Sequence, residues 1–367
     1  MTSQSVVTDE TLSLDVLREQ LWRAVIDCDD THAVALTRCA VGEPGPARLP
    51  AAAERILLEL IAPVQRRVGR EWAANRLTVA QEHAATAISA RCVTAVADLA
   101  APALTAPSRG RVTVACVEGE WHALPARLVA ETLRLRGWTV DHLGAHLPTE
   151  HLVAHLHQRV ADAVLLSCST PPQLPAAHAA ISACQAGGTP VLAGGAGFGP
   201  RGRHALRMGA VWAADADAAH TLLAAGLDRP GASAARLANH DLPHLDDQEY
   251  TSVKRSKRQL VKQTFVDLEE AYPPMAAYGE AQRDRTAEDL DHIVTYLATA
   301  LYVDDAELFT SFVAWTAGIL GARGVPPGSL LPALDSLLRQ LTEFPRAVRI
   351  LATARGTLTV PRPGQPA

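Results

Sequence analysis

The sequence has no paired cysteines, no excess of basic charge, no uninterrupted apolar run of membrane length and no phosphate-binding glycine fingerprint. Its six cysteines are scattered through 367 residues without the spacing of a disulfide framework, which suits a reducing cytoplasm. A net charge of −5 leaves no electrostatic footprint for nucleic acid. The stretch 163–200 is nearly free of charge, but proline and glycine cut it repeatedly, so it is not expected to span a bilayer. The start, MTSQSVVTDETLS, has neither the basic nor the apolar segment of a signal peptide, and a cytoplasmic protein is expected. Gly194–Gly199 (GGAGFG) follows a fourth strand rather than a first and lacks the Gly-x-Gly-x-x-Gly spacing. A dinucleotide reading is therefore rejected.

What is present is unevenly distributed. All five tyrosines, four of the five phenylalanines and all three lysines lie beyond about residue 245, and every cysteine lies before it. The shift marks a domain boundary, with Asn239–Asp247 as linker. Residues 10–101 carry apolar side chains at helical period. Leu14, Leu17, Leu21 and Val25 share one face, and Ala51–Val68 and Val79–Leu99 repeat the pattern, which suggests a four-helix bundle. Pro102–Arg109 leads into residues 109–228, where short β-branched runs alternate with helical ones. The expected strands are Arg111–Val117, Thr139–Leu143, Ala163–Ser167, Pro190–Ala193 and Val211–Ala213, which imply a parallel, doubly wound, flavodoxin-like (Rossmann-type) α/β domain. Residues 250–355 read as all-α, with helices over Leu260–Ala271, Ala287–Ala300, Ala306–Leu320 and Gly328–Leu341. The basic run Lys254–Lys257 reads as a solvated helix face.

The chemistry gathers at strand ends. His122 follows the first strand, where open sheets bind ligands, and Glu120 stands two residues earlier, able to orient the imidazole through its other nitrogen. Ser167-Cys168-Ser169 closes the third strand and Gly194-Gly195 the fourth. Trp72 is followed ten positions on by Glu82-His83. His151, His155 and His157 share a helix but lack a partner to complete a zinc site. Cys168 lacks a base that would make it a nucleophile.

The strand–Glu-x-His–helix stretch resembles the cobalamin-binding motif Asp-x-His-x-x-Gly, with Glu120 for the acid and Pro125 where the glycine falls. The resemblance implies that His122 is the lower cobalt ligand, replacing the corrinoid's own base. It places Ser167 and Ser169 in the serine-containing loop, and Gly194 and Gly195 where a nucleotide tail lies against backbone. The Trp-x9-Glu-His pattern resembles the adenosylcobalamin-binding photoreceptors that regulate carotenoid genes. That implies a bundle covering the upper face of the corrinoid, with Trp72, Glu82 and His83 touching the adenosyl group. Light would break the cobalt–carbon bond, and departure of the adenosyl group would bias the packing of bundle against sheet domain. Ala73 stands where such receptors can carry a cobalt-capturing histidine, so a stable light adduct is not expected from that position.

Beyond residue 250 the stretch Arg285–Gly324, with its Leu-Tyr-Val-Asp-Asp segment, and the Trp-Thr-x6-Arg-Gly-Val-Pro segment resemble the photocobilins, tandem receptors for cobalamin and biliverdin with a globin-like helical domain. The resemblance implies a noncovalent biliverdin, since no cysteine follows Cys184. Arg283, Arg285 and Arg323 are the candidates for its propionates, and His292 or Asp289 for its pyrrole N–H groups. Tyr296, Tyr302, Phe309, Phe312 and Trp315 would line the slot. A plain interaction bundle built on the same aromatics is the alternative. No helix-turn-helix precedes the bundle. The expected output is therefore a partner protein or light-dependent self-association as a homo-oligomer, without direct DNA binding, membrane contact or catalysis. A corrinoid methyl carrier, which needs His122 but not the Trp-x9-Glu-His pattern, and a light-independent cobalamin sensor are the rival functions.

Overall fold

The computed structural model describes residues 13–104, 109–230 and 242–359. The expected bundle start at residues 10–12 and the linker positions 105–108 and 239–241 lie outside them. The described chain divides into two compact units. One comprises Met1–Gly110 with Arg127–Thr139, the other Arg111–Ala126 with Val140–Ala367.

Within the first unit, residues 14–100 form the expected four-helix bundle. Helix α1 (Leu14–Ile26) is capped by Ser13 and α2 (Asp30–Val41) by Asp29, each side-chain oxygen accepting a first-turn N–H. The third helix is continuous from α3 (Leu49–Arg55) through a π-helical turn, Ile56–Ile61, into α4 (Ala62–Ala73). Pro63 explains the turn: it has no N–H to give the Glu59 carbonyl four residues back, and Arg18 Nε donates to that oxygen instead, at 2.7 Å. Asn75, in the left-handed region at φ 56°, ends α4. Thr78 and Gln81 form a capping box that starts α5 (Val79–Ala100). By length and composition the helical stretch Val79–Ala103 could cross a membrane. In the bundle its Ile88, Cys92, Val93 and Val96 are buried core residues.

The second unit is built on a five-stranded parallel sheet of order β2-β1-β3-β4-β5, the flavodoxin-like order. Its strands are β1 (Arg111–Cys116), β2 (Thr139–Gly144), β3 (Ala163–Ser167), β4 (Val191–Gly194) and β5 (Val211–Trp212). β1 and β3 are buried along almost their whole length, as a sheet covered on both faces requires. Between the strands lie α6 (Ala123–Leu135), α7 (Thr149–Gln158), α8 (Leu174–Ala186) and α9 (Arg203–Arg207), and α10 (Ala216–Ala225) follows β5.

The C-terminal part is all-α, with α11 (Glu249–Ala271), α12 (Glu280–Val303), α13 (Ala306–Ala322), α14 (Leu331–Gln340) and α15 (Pro345–Thr359). α11 starts about a dozen residues earlier than its periodicity predicts, and α15 has no counterpart among the expected helices. Nor is Pro243–Asp247 a loose linker. It forms a 3-10 turn whose Asp247 carboxylate binds Arg346. One continuous core runs from the sheet residues Ala115, Val164 and Leu166 to Leu297, Phe309 and Leu351 of these helices. Polar contacts reinforce the junction. His178 of α8 meets the Tyr302 hydroxyl at 2.8 Å, Arg203 pairs with Asp305 at 2.6 Å, and Arg207 donates to the Val303 carbonyl.

Candidate functional site

The strand order reverses between β1 and β3, and a flavodoxin-like sheet opens its ligand crevice at the carboxyl ends of those strands. The segments leaving β1 and β3 are tied together by one carboxylate. Glu120 is 1% exposed. Its Oε1 accepts from the His122 backbone N–H at 2.9 Å and meets His122 Nδ1 at 2.6 Å. Its Oε2 accepts from the backbone N–H groups of Ser169, at 2.6 Å, and Thr170, at 3.1 Å. Burial works to raise the Glu120 carboxyl, but the bonds from His122 and Ser169 outweigh it and hold it below the usual carboxylate range. The His122 side chain is 64% exposed, and Nε2 is the ring nitrogen that Glu120 does not engage.

This arrangement suits a cobalt ligand. A corrinoid carries its metal inside its own macrocycle, so one oriented imidazole suffices. Among the described residues no group of three His, Cys, Asp or Glu is placed to hold a metal ion. Residues 110–225 match a family described as a B12 binding domain, and residues 17–96 match a second family of the same description. The chain is a cobalamin-binding protein.

Three solved structures are similar to parts of it. The monomethylamine corrinoid protein of Methanosarcina barkeri is 18% identical over 57% of this chain and 99% of its own, with a TM-score of 0.47. A cobalamin-binding protein from Desulfitobacterium hafniense is 19% identical over 57% and 95%, with a TM-score of 0.32. The methanol:cobalamin methyltransferase complex of Methanosarcina barkeri is 16% identical over 64% and 91%, also at 0.32. No curated protein matches the chain.

Near His122 lie Glu120, Ser169, Ser167 and Gly195, with some changes of role from those expected. Ser169 acts through its backbone N–H, and the Ser167 hydroxyl bonds the Cys116 thiol. Gly195 sits at φ 107°, and a β-carbon there would collide with the Cys168 carbonyl. Its small size therefore serves the packing of one loop on another, rather than only making room for a nucleotide tail as expected. Cys168 is buried and its thiol is pushed up by that burial, which disfavours the thiolate a nucleophile needs. His155 pairs with Asp141 at 3.3 Å. Thr170, which donates to Glu120, and His146, which accepts from Gly119, were not singled out by sequence reasoning. Thr170 directly follows the Ser-Cys-Ser segment, and His146 follows the end of β2, so strand-end position was the available signal.

In the bundle, Trp72 lies in the last turn of α4 and Glu82-His83 in the first turn of α5. Glu82 Oε2 meets His83 Nδ1 at 2.6 Å, while Oε1 accepts from Thr86 at 2.9 Å. Gln65 of α4 donates to the same Thr86 hydroxyl at 2.6 Å.

The expected bilin residues do not form one group. Tyr296 stacks on Phe312 at 3.7 Å, with Trp315 beyond it at 6.3 Å from Phe312. Burial pushes the Tyr296 hydroxyl up to about 12, with Cys168 and Glu120 within electrostatic reach. His292 and Arg323 lie within electrostatic reach of Asp289. Arg283 is committed elsewhere: it pairs with Glu269 and lies over the Phe265 ring. Tyr302 is taken by His178. Arg283 and Tyr302 stand at opposite ends of α12, about 28 Å apart by helical rise, and do not line one slot. Phe309 is wholly buried core. Arg285 is exposed.

Proposed function

We propose that the protein is a light sensor that takes adenosylcobalamin, with a noncovalent biliverdin held by the C-terminal helices. The observation that supports the sensor reading over plain corrinoid carriage lies in the bundle. Glu82 meets His83 and accepts from Thr86, whose hydroxyl in turn accepts from Gln65, at the start of the helix that follows Trp72. The Trp-x9-Glu-His pattern to which these residues belong resembles that of the carotenoid-gene photoreceptors, and a methyl carrier does not need it. Bound adenosylcobalamin supplies a light-labile cobalt–carbon bond. The chain's own residues would do the rest: Glu120 would orient His122 as the cobalt ligand, and Trp72, Glu82 and His83 would recognise the adenosyl group. Tyr296, Phe312 and Trp315 offer the aromatic surface for a bilin, with Arg323 for a propionate. In this reading the protein signals, through a partner or through itself, and does not catalyse.

The test is to load the full-length protein with adenosylcobalamin and biliverdin in the dark, then record absorption and hydrodynamic radius before and after green and red light. A sensor changes its radius or assembly with illumination. An unchanged radius in every light condition, with cobalamin bound, leaves a light-independent sensor or a methyl carrier.

A further inference from the structure

The segment after β2 carries His146 at φ 49°, in the left-handed region where non-glycine residues are uncommon. Three interactions hold it there. Its backbone N–H donates to the Glu120 carbonyl at 2.9 Å. Its Nδ1 accepts from the Gly119 N–H at 2.9 Å. Its ring stacks on Trp121 with centroids 4.6 Å apart and planes 8° from parallel. Gly119, Glu120 and Trp121 are the three residues immediately before His122, so His146 is built onto the same turn as the proposed cobalt ligand. A backbone N–H can only donate, so Nδ1 accepts and the neutral ring carries its proton on Nε2. Trp121, against which this ring lies, is 70% exposed, a large apolar surface left open to a ligand.

We propose that His146 and Trp121 are a second recognition element for the corrinoid. His146 Nε2–H donates to a peripheral amide carbonyl, and Trp121 gives apolar contact. The inference rests on cobalamin binding at His122.

Two substitutions separate recognition from loop support. His146→Asn keeps an oxygen where Nδ1 accepts from Gly119 and tolerates the left-handed backbone, but has no distal donor. His146→Gln places an amide N–H where Nε2 stands and gives up the Gly119 bond. Full-length wild type and both variants are titrated with hydroxocobalamin and followed by absorption. The expected result is about 10-fold weaker binding for His146→Asn, with the histidine-ligated spectrum retained, and near-wild-type binding for His146→Gln. Trp121→Ala is expected to weaken binding by a similar factor. Wild-type affinity in His146→Asn together with loss in His146→Gln would overturn the proposal, leaving His146 a loop support only. Failure of the wild type to bind would instead remove the cobalamin reading beneath it.

Discussion

Glu120 uses both carboxylate oxygens on donors from two different loops, and no isosteric neutral side chain can do so. Glutamine would turn one oxygen into a donor facing N–H groups. Glu120→Gln and Glu120→Ala are therefore expected to weaken cobalamin binding about 10–100-fold, less than His122→Ala, which removes the ligand itself. Equilibrium titration of the three variants checks the order, and a His122→Ala protein that binds as tightly as wild type would break it. In the bundle, Trp72→Ala is expected to lower the preference for adenosylcobalamin over methylcobalamin, because in the proposed reading the indole it removes contacts the adenosyl group. Competition between the two forms measures this, and an unchanged preference would make Trp72 ordinary core. The Glu-x-His pair was legible in the sequence because its function depends on near neighbours in the chain. The backbone donors of Ser169 and Thr170 were not, since any residue supplies an N–H and only the fold brings these two, 49 and 50 positions away, to Glu120.

At the scale of elements, the junction between sheet and C-terminal helices turns on Asp305. Its side chain caps α13 by accepting from the Glu307 and Leu308 N–H groups, and it also faces Arg203 and buried His204. Burial would raise this carboxyl, but His204 and Arg203 lower it on balance. A depressed carboxyl stabilises the fold above its ordinary value of about 3.9, and that stabilisation is lost as pH falls through the lower folded value. Asp305→Ala is expected to cost about 2–4 kcal/mol at neutral pH, from loss of the helix cap and of the carboxylate that Arg203 and His204 face. The difference from wild type should shrink below about pH 4. Urea denaturation across pH tests both statements, and a constant difference down to strongly acid pH would contradict the second.

The five strands fall within one residue of their predicted bounds because short β-branched runs between helices carry a dense signal. α11 begins earlier than predicted because its first turns, EYTSVKRSKRQ, bury little beyond Val253 and so show no apolar stripe. α15 escapes the periodicity although Pro345 opens it, a recognised start position for a helix. The π-turn follows from Pro63 together with Arg18, 41 residues from Glu59, a pairing that periodicity cannot register.

At the scale of the whole molecule, one core shared by sheet and C-terminal helices means that residues 249–359 alone would expose the Tyr302 and Leu297 faces. Biliverdin uptake is therefore best measured on the full chain. With no cysteine beyond Cys184, the bilin is expected to leave the polypeptide intact in acid and denaturant. Chromophore that stays with the denatured chain would exclude a noncovalent site. Cobalamin at 100 times its Kd should stabilise the protein by about 2.7 kcal/mol, visible as a rise in Tm that His122→Ala diminishes.

The most direct test of the central claim, that His122 ligates cobalt, is electron paramagnetic resonance of the protein with cobalamin reduced to its Co(II) form. An axial nitrogen splits the cobalt lines into triplets. Protein grown with nitrogen-15 histidine and unlabelled cobalamin should give doublets, and His122→Ala should abolish that change. Triplets that persist in the labelled wild-type protein would mean that the corrinoid keeps its own base and that His122 is not the ligand.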